Sequence, residues 1–198
     1  MTIDINKRHS GGTATQVVEC IDKRFGTWRV RTDFKEQEEQ QAGRTRRSVT
    51  FIETEFAHKP TMAEVKEFCL GVIDAETDAK ILNGYEWEVL HGEDAGSTVK
   101  VWLSAENQEN FKAKHDLALA YPQLTTWPVT YKISEHADKS PVYEHFANIE
   151  ELARFYLGGV AYIEQTLQEG WQKKGTFDFT PYELILNPVT ENENAGEE

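Results

Sequence analysis

The sequence predicts an α+β protein in which short antiparallel β-hairpins are each followed by an amphipathic helix, with the elements divided between two small subdomains. Runs of alternating apolar and polar residues indicate the strands. Apolar residues spaced by threes and fours after Ser, Thr or Asn indicate capped helices. A length of 198 residues with a hydrophobic fraction of 39% allows a proper core in one domain or a small pair.

The N-terminal part of the chain is predicted to contain an arm and a β-rich subdomain. Residues 1–12 are polar and end in two glycines, which indicates a flexible or docking arm. Within the subdomain at 13–79, we expect a hairpin of strands 15–21 and 27–34 and a third strand at 46–56. One face of the second strand is predicted to consist of Trp28, Val30, Thr32 and Phe34.

The subdomain is predicted to close with one helix. Residues 35–43 are polar, end in Gly and are expected to form an exposed loop or a short extension. Thr61 and Glu64 form a capping box before an apolar stripe, which predicts a helix from 62 to about 73. Residues 74–78 are expected to form a turn-like connector.

The C-terminal domain is predicted at 80–180, and residues 181–198 are predicted to form an acidic tail. Its strands are expected at 85–89, 99–103, 129–134 and 142–146. Ser104 caps a helix to about residue 120, whose inner face is expected to include Phe111, His115 and Leu119.

Asn148 caps the longest helix, which is predicted to end near Trp171. Gly158 and Gly159 lie in its middle, where each Gly costs on the order of 1 kcal/mol relative to Ala. We expect this cost to be offset by the close approach of another backbone or of an aromatic ring.

Composition disfavours several classes of protein. A net charge of −13 and a pI near 4.9 argue against nucleic-acid binding, which needs a basic surface. The sequence has no apolar run of about 18 residues and no apolar signal region at its start, so neither a membrane span nor secretion is expected. Cys20 and Cys69 lie among apolar residues, which predicts buried thiols and folding in a reducing cytoplasm.

The histidines do not follow a metal-binding pattern. No HxH, HExxH or CxxC spacing occurs. His136 and His145 flank a hairpin loop and could approach each other, and His115 precedes Asp116. We interpret these residues as surface or rim histidines, so no metal or catalytic histidine is predicted.

Neither the paired carboxylates nor the glycines form a pattern that is specific to an active site or a nucleotide site. Glu53/Glu55 and Glu86/Glu88 each point to one side of a strand, as a glycosidase pair would, but the polar face of a half-buried sheet gives the same pattern. No GxGxxG, GxxxxGK[ST] or GxSxG motif is present. The sequence therefore predicts no catalytic, cofactor-binding or metal-binding residue.

Aromatic and basic residues supply the candidates for a protein interface. Tryptophans at the ends of elements anchor interfaces or close cores. A cluster of three arginines is the concentrated positive feature of this acidic chain. The favoured interpretation is a solvated strand start, and the alternative is that the cluster steers an acidic partner. The candidates are Trp102, Trp127, Tyr156, Trp171, Arg44, Arg46 and Arg47.

Short motifs in the C-terminal half carry a family resemblance. They are Gly84-Tyr85, Val101-Trp102-Leu103-Ser104, Gln108, Asn110, Leu152, Tyr156 and Phe177-Asp178-Phe179. In this order they resemble the DUF4376-type domain of small phage and prophage proteins from Bacteroidales, which lies near tail-fibre genes. The charged loop at 93–97 and the acidic tail depart from the family pattern, and the first 80 residues fit only its variable preceding region.

The resemblance implies a non-enzymatic structural or assembly protein that docks on a larger phage tail or fibre component, or on a second copy of the chain. It places the protein in the virion, or in the host cytoplasm during assembly. No cofactor, small-molecule ligand, nucleic acid or membrane is expected as a partner. Two alternatives stay open: a glycan hydrolase that uses paired carboxylates and an aromatic platform, and an acidic decoy that binds a host factor.

Overall fold

A computed structural model describes residues 3–11, 15–41 and 44–188 and confirms the α+β class. The strands are β1 (His9–Gly11), β2 (Val18–Asp22), β3 (Thr27–Gln41), β4 (Arg44–Phe56), β5 (Tyr85–Glu88), β6 (Thr98–Val101), β7 (Val129–Glu135) and β8 (Pro141–Phe146). The helices are α1 (Met62–Asn83), α2 (Ala105–Ala120), α3 (Ile149–Gly175) and α4 (Thr180–Leu186), with a 3₁₀ turn at Pro122–Leu124.

The chain divides into two compact units. The first unit comprises the residues up to Glu76 together with those from Gln172 onward, and the second comprises Thr77–Trp171. The predicted start of the C-terminal domain at residue 80 lies three residues after the start of the second unit at Thr77. Its predicted end at residue 180 lies nine residues beyond the end of that unit at Trp171. The reason is that Phe177 and Phe179 pack against the core of the first unit.

The first unit contains an antiparallel sheet in the order β1-β4-β3-β2. One face of this sheet packs on α1 and α4. This core consists of Val18, Val30, Ile52, Val65, Phe68, Cys69, Val72, Tyr182 and Leu186. The predicted burial of Cys69 is confirmed, whereas Cys20 is only partly buried.

Both predicted terminal segments include ordered structure. In the predicted arm, His9 lies opposite Phe51 in the β1–β4 ladder, so this part of the arm is a strand of the sheet. Residues 181–186, predicted as tail, belong to α4. The hydroxyl of Tyr182 donates to the backbone oxygen of Arg31 at 2.8 Å, which joins α4 to β3.

Strand β3 differs from the prediction in length and in the direction of one side chain. The stretch 35–43, expected to be a loop or a short extension, continues β3 as far as Gln41, where opposite charges such as Glu38 and Arg47 face each other across the ladder. Asp33 adopts a φ of 52° where the register shifts between Thr32 and Lys35. Because a bulge inserts an extra residue, Phe34 turns away from the Trp28 face and contacts Phe51.

The capping box at the start of α1 is confirmed, but the predicted end of the helix is wrong. The backbone N–H of Thr61 donates to the Glu64 carboxylate at 2.8 Å, and the N–H of Glu64 donates to the Thr61 hydroxyl at 3.3 Å. The helix continues through the predicted connector at 74–78, because the residues that follow are mostly strong helix formers. It ends before Gly84, whose φ of 81° only glycine adopts readily.

The second unit contains two β-hairpins, β5–β6 and β7–β8, together with α2 and most of α3. The expected close approach at the glycine pair is confirmed, because the ring of Tyr85 lies 3.4 Å from where a Cβ would stand at Gly158 or Gly159. The inner face of α2 is formed by Phe111 and Ala118, so the assignment of Leu119 to it is wrong. At 100° per residue, position 118 lies nearer than 119 to the direction of Phe111.

None of the helices in the described ranges combines the length and the apolar composition needed to cross a bilayer.

Candidate functional site

The interface candidates from the sequence occupy different environments. Trp102 is 39% exposed, with the Lys132 ammonium 5.6 Å from its ring, and Trp171 is 63% exposed. Trp127 and Tyr156 are partly buried and pack against the core of the second unit. These four aromatic residues therefore comprise two exposed rings and two that contribute to the core.

The arginine cluster is described only in part. The guanidinium of Arg47 is exposed, and its Nε donates to Glu38 at 2.7 Å across the β3–β4 ladder. The side chains of Arg44 and Arg46 lie outside the described residues. The favoured interpretation of Arg47, a solvated position on a strand, fits this exposed ion pair.

Further exposed apolar side chains lie at the C-terminal end of α2 and in the 3₁₀ turn that follows it. Within residues 117–124, which we call the 117–124 segment, four large side chains face solvent. Their exposed fractions are 39% for Leu117, 66% for Leu119, 53% for Tyr121 and 67% for Leu124. Leu117 and Leu119 point about 160° apart around α2, so one surface cannot include both. Leu119, Tyr121 and Leu124, the more exposed three, are therefore the candidates for a surface that binds another protein.

Sequence reasoning missed this segment because it assigned Leu119 to the inner face of α2. A signal was present: Leu117, Ala118 and Leu119 are consecutive, and consecutive helix positions point about 100° apart. Since Ala118 is buried, its two neighbours must point elsewhere.

The first unit places titratable groups together on the second face of its sheet. Arg31 is nearly fully buried and lies between two carboxylates. Its Nε donates to Glu53 at 3.0 Å, and its Nη2 donates to Glu19 at 2.5 Å. Arg29 donates to Glu55 at 2.6 Å, and His9 lies 3.4 Å from Glu53.

This arrangement favours the ionised state of the Glu19 carboxylate. The hydrogen bond from Arg31 lowers the pKa of Glu19. A general acid in glycoside hydrolysis needs a raised pKa, because it must carry a proton at neutral pH. The guanidinium of Arg31 therefore holds Glu19 and Glu53 near each other. The two carboxylates belong to an ion-pair network on this face of the sheet.

A buried carboxylate in the second unit was also missed. Glu144 is fully buried and accepts four hydrogen bonds. The donors are Trp87 Nε1 at 2.8 Å and the backbone N–H groups of Leu90 at 2.7 Å, His91 at 3.1 Å and His145 at 3.0 Å. Because these donors occupy its acceptor positions, Glu144 fixes the chain after β5 and serves the architecture of the unit.

The histidines have separate partners. His136 lies 3.2 Å from Asp94, and His145 bonds the Thr130 hydroxyl at 2.8 Å. His115 stacks on Tyr156 with ring centroids 4.7 Å apart. Among the residues that the structure describes, no three His, Cys, Asp or Glu side chains converge as metal ligands would.

Known proteins give no match to this chain, whether it is compared with family models, with curated sequences or with solved structures.

Proposed function

We propose that the chain is a non-enzymatic docking protein whose second unit binds a larger component of a phage tail or fibre. The observation that carries the docking role is the exposure of Leu119, Tyr121 and Leu124 in the 117–124 segment. The phage component as partner rests on the resemblance of the C-terminal half to the DUF4376-type domain.

The energetics favour this segment as the centre of an interface. Complete burial of a Leu side chain is worth about 1.5–3 kcal/mol, so burial of the exposed parts of Leu119, Tyr121 and Leu124 contributes on the order of 4 kcal/mol. Association costs are of comparable size, so further contacts are needed for stable binding. The exposed rings of Trp102 and Trp171 are candidates for these further contacts, because Trp is enriched among the residues that contribute most to binding.

The test is affinity capture after co-expression with the products of the genes beside its own. We expect a tail or fibre protein to bind. The double substitution Leu119→Asp and Leu124→Asp should reduce its capture at least tenfold, because it places two charges in the buried interface. Leu82→Asp, at an exposed leucine of the same unit, is the matched control and should leave capture unchanged.

Two outcomes would contradict the proposal. One is that the neighbouring products include tail or fibre proteins but none binds. The other is that the double variant, folded by circular dichroism, captures as much partner as the wild type.

The hydrolase alternative has one supporting observation, the approach of Glu19 and Glu53 around Arg31. The lowered pKa of Glu19 counts against it, since that carboxylate is then neither a proton donor nor a poised base at neutral pH. The decoy alternative stays a prediction.

A further inference from the structure

A cavity of about 240 Å³ opens on one side of the second unit. Its inner wall is made of buried apolar side chains, among them Leu103, Phe111 and Phe155. Half-buried side chains of α3, Val160 and Ile163, form the outer wall. A concave, mostly apolar site with a few polar groups is the usual form of a small-molecule pocket.

The glycine pair of α3 contributes to this space. Gly159 lines the cavity, and without a side chain it leaves room for the ring of Tyr85 beside the helix. The Tyr85 hydroxyl donates to the backbone oxygen of Phe155 at 2.7 Å, which fixes the ring in the wall. The wall is therefore built from ordered groups before any ligand arrives.

Two polar groups of the lining already have partners within the wall. Besides the Tyr85 hydroxyl, the side-chain amide of Gln108 donates to the backbone oxygen of Leu103 at 2.7 Å. At the rim, the ammonium of Lys112 is held by Asp116 at 2.5 Å, and Glu109 adds a negative charge. An anionic ligand would gain little at such a rim, because the two carboxylates outnumber the one ammonium.

The volume and the wall chemistry indicate the class of ligand. An engineered apolar cavity of about 150 Å³ binds benzene, so a cavity of this size admits about ten non-hydrogen atoms. Phe111 and Phe155 meet edge to face with centroids 4.9 Å apart, and aromatic walls of this kind favour aromatic guests. We propose that this cavity binds an uncharged planar aromatic molecule of about ten non-hydrogen atoms.

This inference is independent of the docking role and departs from the expectation that the chain has no small-molecule ligand. It is tested by calorimetric titration of the full chain with indole as the probe. We expect saturable binding with a Kd on the order of 100 μM. Indole-3-carboxylate should bind several-fold more weakly, because the Lys112 ammonium is already paired with Asp116 and the Glu109 carboxylate repels a second anion.

Substitutions on α3 locate the binding. Val160→Phe and, separately, Ile163→Phe should each weaken indole binding at least tenfold, because the larger ring occupies the cavity. Leu157→Phe, at an exposed position of the same helix, should leave the affinity unchanged. The proposal is overturned if indole does not bind, if the carboxylate binds more tightly, or if both cavity variants are folded and bind indole as the wild type does.

Discussion

Replacement of Glu144 by Gln should destabilise the second unit strongly, although the two side chains have almost the same shape. The carboxylate is fully buried and accepts two hydrogen bonds at each oxygen. Oε2 accepts from Trp87 Nε1 and from the N–H of Leu90, and Oε1 accepts from the N–H groups of His91 and His145.

The expected magnitude follows from this division. Gln keeps one oxygen and replaces the other with an NH₂ group, so either orientation of the amide leaves two buried N–H donors facing another donor. A buried donor without a partner costs about 1–3 kcal/mol, and the loss is therefore about 2–6 kcal/mol.

The assay is urea unfolding of the full chain, followed by tryptophan fluorescence and by near-UV circular dichroism. The matched control is Glu88→Gln, at an exposed position of β5, which should change the free energy of unfolding by less than about 0.5 kcal/mol. A Glu144→Gln protein that unfolds within about 0.5 kcal/mol of the wild type would refute the reasoning, since the four bonds would then contribute nothing net.

Two further predictions concern glycines with a positive φ and the capping box of α1. Gly84→Ala should cost about 3 kcal/mol or more in urea unfolding, whereas Gly96→Ala should cost only about 1–2 kcal/mol. Both glycines have a φ above 80°, but a Cβ at Gly84 would stand 1.7 Å from a carbonyl oxygen of β6 and a Cβ at Gly96 meets open space, so equal costs would contradict this. The backbone N–H of Thr61 and then its hydroxyl lower the pKa of Glu64, whose ordinary value is 4.5. Thr61→Ala should raise that pKa in an NMR titration. The capping interaction should be present above the ordinary pKa and be lost as the pH falls through the lowered one, so an unchanged pKa would count against the hydroxyl's contribution.

Local sequence signals predicted the elements whose causes are local. The capping box needs only Thr61 and Glu64, three residues apart, and the structure shows both of its bonds. The glycine pair of α3 predicted a close ring because Gly inside a helix is costly without compensation, although the sequence could not say that the ring belongs to Tyr85.

The features that sequence reasoning missed depend on distant residues. Donors to Glu144 lie as far as 57 residues away, so nothing near position 144 marks it as buried. Strand β3 continues through a polar stretch because β4 supplies complementary partners, which no propensity of 35–41 reveals. The exposed leucines of the 117–124 segment and the apolar cavity can likewise be recognised only once the rotation of α2 and α3 about their own axes is known.

The polar continuation of β3 and β4 has a consequence for how the protein behaves at high concentration. From the Gln37–Ser48 pair to the Gln41–Arg44 pair, no third strand of the described chain accompanies the ribbon, so outward backbone groups are open to addition of a foreign strand. Charged side chains of both signs, including Glu38 and Arg47, would have to give up water if a foreign strand covered them. The ribbon thereby resists the edge-to-edge growth that leads to fibrils.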